Sequence, residues 1–300
     1  MTERGSAETP LTIVVGPTAS GKTELAVRWA EERGAEIVSA DSVQVYRYFD
    51  IGTGKPSAEE HARARHHLVS VLEPSEPMDA ALWAERAERT ILEIRGRGRE
   101  PVVCGGSFLW VKALLFGLAG APAADPAIRA RHRERAEREG RPALHAELAR
   151  VDPESAARLA PNDLVRVSRA LEVFEQSGVP LSRFQAEHGF RAPRYAARLV
   201  GVRREPAELD RRIEARVRAM FAAGWIDEVR ALLAAGHEQT RAMSAVGYKQ
   251  VAAALRGEAP IDTESLTIAV VRATRIFARR QRTWLRDQNV EWTEPLTPSR

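Results

Sequence analysis

A single cysteine, Cys104, stands among 300 residues, which excludes a disulfide framework and a thiolate metal cluster. It follows the apolar pair Val102 and Val103 and reads as a buried structural thiol. No apolar run reaches the roughly 20 residues of a membrane-spanning helix. Met1 to Pro10 is polar and lacks the apolar centre of a secretory signal, so a cytoplasmic protein is expected, with a monomer as the default expectation. Lysine is nearly as scarce: Lys22, Lys55, Lys112 and Lys249 are the only lysines among 45 basic residues. Where arginine fills almost every basic position, a retained lysine points to a need for a compact ammonium. Lys112 reads as retained by chance. The net charge of +4 does not make a nucleic-acid binder, because what matters is clustering of the basic residues on one face. The chain contains no internal repeat.

What is present has the pattern of an α/β protein with a P-loop-like core. The apolar run Leu11 to Val15, the pair Ile37 and Val38, and Pro101 to Cys104 read as short buried strands. Between the last two, Trp83, Ala87, Ile91 and Ile94 fall on one helical face. Strands alternating with helices predict a parallel sheet with crossover helices. From about residue 120 the chain turns rich in Arg, Glu and Ala without a strand signal. Residues 120–189 are therefore expected to form an inserted helical lobe, with 10–119 and 190–300 as the core. Asn162 or Asp163 caps a helix with apolar face Leu164, Val167, Leu171 and Phe174, ended by Gly178 and Pro180. Residues 198–202 suit a returning strand, and the chain is helical almost to the end thereafter.

Gly16-Pro17-Thr18-Ala19-Ser20-Gly21-Lys22-Thr23 fits G-x-x-x-x-G-K-[ST] between an apolar strand and an amphipathic helix. The two glycines let backbone N–H groups wrap phosphate oxygens, and the helix N-terminus adds positive partial charge. Lys22 should reach the terminal phosphate, and the Thr23 hydroxyl should hold Mg²⁺. The pattern specifies a di- or triphosphate, not ATP. An N-K-x-D guanine motif is missing, and so is the acid that ends the strand at Cys104 in motor ATPases. A small-molecule transferase or kinase is favoured over a switch or motor. Asp41 closes the second strand, and residues at the carboxyl ends of parallel strands face the ligand crevice. Ser42 and Gln44 add hydrogen-bonding groups there. Asp41 is either a functional acid or a turn cap.

GPTASGKT, SADSVQVY, IGTGKP, the HHL at 66–68, the GGS at 105–107, NDLVRVSRALEVFEQSG, VGYKQ and RRQRTWLR occur in an order that resembles the tRNA dimethylallyltransferase family from about residue 11 to 290. The resemblance implies dimethylallyl diphosphate as donor. The acceptor it implies is N6 of the adenosine 3′-adjacent to the anticodon, in tRNAs reading codons that begin with U. It implies that Asp41 is the general base, Thr23 the metal-binding hydroxyl, Ser107 a channel residue and Arg212 a diphosphate contact, with Arg211 and Arg216 as near alternatives. It further implies contact with the tRNA anticodon stem-loop through four segments and Ser107. They are Asp41, Ser42, Val43 and Gln44; Val165, Arg166, Val167, Ser168 and Arg169; Ser244, Gly247, Tyr248 and Lys249; and Arg279, Arg280, Gln281, Arg282 and Arg286.

Phe108 and Trp110 stand where the family has Gly and Tyr, which implies two bulkier groups beside the channel. His66 and His67 read as structural or substrate-positioning. Arg272, Arg275, Arg279, Arg282 and Arg286 recur at helical spacing, a row of roughly 21 Å. It is either an RNA-facing stripe or a solvated face balanced by neighbouring acids, and the resemblance favours RNA. Two other functions stay open: a P-loop kinase using ATP on a metabolite or nucleoside, and a non-catalytic nucleotide-dependent RNA-binding module.

Overall fold

In β1 (Leu11–Val15) every residue is buried, which is why the run is apolar without alternation: both faces of a parallel strand are covered. A computed structural model describes residues 10–190 and 192–295; residues 1–9, read above as lacking a signal, lie outside them. Helix α1 (Lys22–Arg33) starts at Gly21, in the left-handed region at φ 96°, and stops at Gly34, also left-handed. Then come β2 (Glu36–Ala40), α2 (Ala58–Arg63) and β3 (His66–His67). Helix α3 (Ala80–Gly96) is capped by Asp79 and buries Trp83, Ala87, Ile91 and Ile94, the face expected from their spacing. It leads to β4 (Pro101–Gly105) and α4 (Phe108–Phe116).

The described residues divide into two compact units, one formed by residues up to 115 with those from 195 onward, the other by 116–194. The second is all-helical: α5 (Pro126–Glu139), α6 (Arg141–Val151), α7 (Pro153–Arg158), α8 (Leu164–Ser177) and α9 (Leu181–His188). Leu144, Leu148, Val167, Ala170 and Leu171 form its core. Asp163 caps α8 through Arg166 N–H, and left-handed Gly178 ends it. A fully buried carboxylate, Glu172, accepts from Asp125 N–H and from Arg129 and Arg169.

The first unit resumes with β5 (Ala197–Val202), α10 (Pro206–Ala222), α11 (Trp225–Ala234), α12 (Tyr248–Leu255), α13 (Thr263–Arg286) and β6 (Val290–Thr293). Its six strands are all parallel, in the order β3-β2-β4-β1-β5-β6. The sequence reading missed both edge strands. β3 is two histidines long, too short for any periodicity. β6 is only partly buried and carries an exposed Trp292, so it lacks the apolar run that betrays a central strand. The loops after β1, β2 and β4 gather at the carboxyl edge, where such sheets bind ligands.

Candidate active site

The residues that follow β1 form the phosphate loop. Ala19 (φ 63°) and Gly21 (φ 96°) both sit in the left-handed region, turning the loop so that its N–H groups form an anion-binding concavity. Lys22 Nζ donates to Pro17 O at 3.5 Å. Burial depresses its ammonium below the usual lysine range, Arg216 pushes the same way, and Asp41 acts against both. Cys104 is buried as expected; burial pushes its thiol up to about 12, so it stays protonated and donates to Lys22 O.

Asp41 does cap a turn: one carboxylate oxygen, Oδ1, accepts from Val43 and Gln44 N–H at 2.9 and 3.2 Å. Its other oxygen is free of these bonds. Asp41 lines a cavity with Lys22 and Thr23, and also an adjoining, mainly apolar cavity of about 290 Å³ bounded by Ile213, Val217, Val270 and Phe277. Thr18, Asp41, Thr53, Arg216, Phe277 and Gln281 are common to both walls. Ser107 lines the apolar cavity and accepts from Ser42 N–H at 3.0 Å, which ties the β4 and β2 loops together. Gln44 donates to Thr53 O and Gly54 O, holding the second glycine loop. Lys55 is likewise structural: it donates to Tyr46 O and Asp50, both at 2.6 Å.

Arginines from β5's exit and α10 close the phosphate side. Arg212 Nε donates to Ala19 O at 2.8 Å and Arg204 Nε to Ser20 O at 3.1 Å. Arg216 donates to Thr53 O at 3.1 Å and lines both cavities; Arg211 is exposed. Burial lowers the Arg212 and Arg216 guanidiniums, and Arg204 adds to the effect at Arg212. Like charges held together at the rim of an anion-binding loop are a cost that a bound anion offsets. Arg204 was not singled out from sequence; its position just past a strand's carboxyl end was the available signal.

Trp225 and Glu228 were also missed. Glu228 accepts from the N–H groups of Asp50 and Ile51 and from the Tyr248 hydroxyl at 2.6 Å. Trp225 fills space kept open by two glycines: a Cβ at Gly52 or Gly247 would lie 2.1 or 2.0 Å from its ring. The motifs IGTGKP and VGYKQ thus converge on one indole.

The bulky Phe108 and Trp110 do not narrow the channel. Phe108 stacks on Trp284 of α13, with centroids 4.1 Å apart and planes at 3°, and Trp110 stacks on Trp83. Neither belongs to the cavity wall. His67 bonds Glu36 at 2.6 Å, a structural role, whereas His66 lines the phosphate cavity.

Several residues matched to RNA contacts face inward. Val167 (1% exposed) packs in the helical unit's core, and Ser168 bonds His132. Arg169 is held by Glu172 and Pro122 O, while Val165 and Arg166 are exposed. Gly247 and Tyr248 are buried around Trp225; Ser244 and Lys249 are exposed. On α13, Arg279, Arg280, Arg282 and Arg286 are exposed and form no ion pair with a described residue. Arg275 leans towards Asp210 and Glu214 of α10, so for it the balanced-face reading holds. Gln281 points inward to the phosphate loop.

The Thr23 hydroxyl bonds no other described residue and lines the phosphate cavity beside Asp41. Among the described residues there is no cluster of three or more His, Cys, Asp or Glu able to hold a metal. A hydroxyl with few protein ligands suits Mg²⁺, which keeps several waters and binds through substrate phosphates.

Residues 44–288 match the sequence pattern of a family described as IPP transferase. A tRNA dimethylallyltransferase of Sorangium cellulosum is 64% identical over 282 residues, 94% of this chain and 89% of its own length. The crystal structure of the full-length tRNA isopentenylpyrophosphate transferase of Bacillus halodurans superposes with a TM-score of 0.69. It is 35% identical, covering 95% of this chain and 89% of that one. A eukaryotic dimethylallyltransferase captured acting on tRNA gives a TM-score of 0.77 at 21% identity, over 96% and 74% of the two chains, a likeness of fold.

Proposed function

The chain belongs to the IPP transferase family of tRNA dimethylallyltransferases, and from that premise we propose that it moves a dimethylallyl group from dimethylallyl diphosphate to N6 of the adenosine following the anticodon of tRNA. The observation that carries the reading is the pair of adjoining cavities, one cationic and one apolar, with Asp41 on the wall of both. A diphosphate suits the first, an allylic tail and a purine the second.

In the reaction the N6 lone pair forms a bond to the donor's first carbon. The carbon–oxygen bond breaks, and its electrons leave with diphosphate. The N6 proton passes to Asp41, whose Oδ2 is not used by the turn. An ordinary carboxylate suffices, because the amine becomes acidic only as the new bond forms. Lys22, Arg212 and Arg216 oppose the charge that grows on the leaving group. Thr23 would hold Mg²⁺, which, when bound, neutralises further charge on the diphosphate. The purine must leave the anticodon-loop stack to reach Asp41. Neither the family pattern nor the relatives described above favours an ATP-dependent kinase. Among the described residues no helix is long and apolar enough to cross a membrane, and a cytoplasmic location is part of the proposal.

The test is incubation with labelled dimethylallyl diphosphate, Mg²⁺ and unmodified tRNA. Label should enter the RNA, and Asp41→Ala should slow its entry by roughly 10²-fold or more with tRNA affinity nearly unchanged. Tight ATP binding with no labelled RNA would defeat the reading.

A further inference from the structure

One side chain from the far end of the chain reaches into the phosphate loop. Gln281, on α13 and 5% exposed, accepts from Thr18 N–H through Oε1 at 2.8 Å and donates through Nε2 to Gly106 O at 3.0 Å. The amide cannot be reversed, because Thr18 N–H is only a donor and Gly106 O only an acceptor. Gly106 is shaped to it: a Cβ there would lie 2.4 Å from Nε2.

The position of this contact matters. The N–H groups of a phosphate loop are its means of holding phosphates, and Gln281 occupies the one at Thr18. Lys22 and Thr23 lie on the cationic side of that point, in the cavity whose wall Thr18 and Gln281 share. Ile213, Val217 and Val270 lie on the other side. A polyphosphate running out from the helix N-terminus therefore meets, at the end of the cationic cavity, an amide already bonded and then an apolar wall.

We propose that Gln281 sets the length of the anion this loop accepts: it closes the Thr18 end, so that two phosphates fit and a third is refused, leaving that place to the donor's carbon. The proposal rests on the reading of the loop as a diphosphate site and adds the residue that discriminates. It runs against simple charge counting. Lys22, Arg204, Arg212 and Arg216 alone would favour the more highly charged triphosphate.

The experiment is calorimetric titration of the full chain with inorganic pyrophosphate and with tripolyphosphate, both with Mg²⁺ present. The unaltered protein should bind pyrophosphate the more tightly, by about tenfold or more, the scale of one hydrogen bond to a charged group. In Gln281→Ala, with Thr18 N–H released, the preference should fall to near parity. Gly106→Ala, which displaces the amide without removing it, should do the same, and thermal unfolding confirms that each variant is folded. Tripolyphosphate binding the unaltered protein as tightly as pyrophosphate overturns the proposal. So does an unchanged ratio in either folded variant, which would make Gln281 a contact for RNA alone. If pyrophosphate itself does not bind, the reading of the loop as a diphosphate site falls, and the length filter with it.

Discussion

Trp225 shows how a single side chain can dictate residues distant in sequence. Its ring occupies the space that a Cβ at Gly52 or Gly247 would need, and Gly247 adds a left-handed φ of 93° that side-chain-bearing residues resist. Gly247→Ala should therefore cost about 2 kcal/mol or more, from overpacking together with backbone strain. Denaturant unfolding measures this; a cost within a few tenths would mean that the indole is free to move aside. The consensus of the phosphate loop, by contrast, was legible residue by residue, because close backbone approach to phosphate admits few alternatives. Asp41 was legible only as an ambiguity. The turn-cap reading holds for one oxygen, and the other remains available for the proposed role as base.

Helix α13 has an inward side and an exposed arginine side. Leu266 and Leu285 are buried and Val270, Phe277 and Gln281 line the cavities on the inward side, while Arg279, Arg280, Arg282 and Arg286 are exposed. The arginine spacing was visible in the sequence. Which arginines are neutralised was not, since that depends on Asp210 and Glu214 of α10 lying beside Arg275. If the remaining arginines meet RNA phosphates, Arg279→Ala with Arg282→Ala should weaken tRNA binding. The slope of log K against log salt should fall by about 1.4–1.8, or 0.7–0.9 for each phosphate left without its arginine. Binding measured at several salt concentrations decides this, and an unaltered slope removes the helix from the interface. The same helix explains Phe108, and α3 explains Trp110. Position 108 tolerates a large ring because Trp284 supplies a stacking partner, and Trp83 does so for Trp110.

Over the whole molecule, acid stability follows from three carboxylates. Burial alone would raise Glu36, Glu172 and Asp152, but their hydrogen bonds outweigh it. Those come from His67 and Arg97, from Arg129 and Arg169, and from Ser182 and Ser155, respectively. All three are held below the ordinary carboxylate range. A depressed folded pKa contributes stability that is present above the unfolded value and disappears as pH falls through the folded one. The thermal midpoint should therefore hold near neutrality and drop progressively below the ordinary values of 4.5 for Glu and 3.8 for Asp. Glu172→Gln should make that drop shallower while lowering the midpoint at neutral pH, because it leaves Arg129 and Arg169 facing a neutral group. A midpoint profile parallel to the unaltered protein's would show that Glu172 is not among the groups responsible.

The sequence by itself determined the phosphate loop, the four longer strands, the amphipathic helices and the family, because each is written in local spacing: glycines at a turn, apolar runs on covered strands, one face every 3.6 residues. Tertiary structure alone decided which residues meet. It placed Gln281 on Thr18, Trp225 between two glycines, Arg204 beside the loop, and Ser168 inside the helical unit rather than on its surface. Such pairings join positions far apart in the chain, and no local periodicity encodes a partner that only chain folding brings within hydrogen-bonding reach.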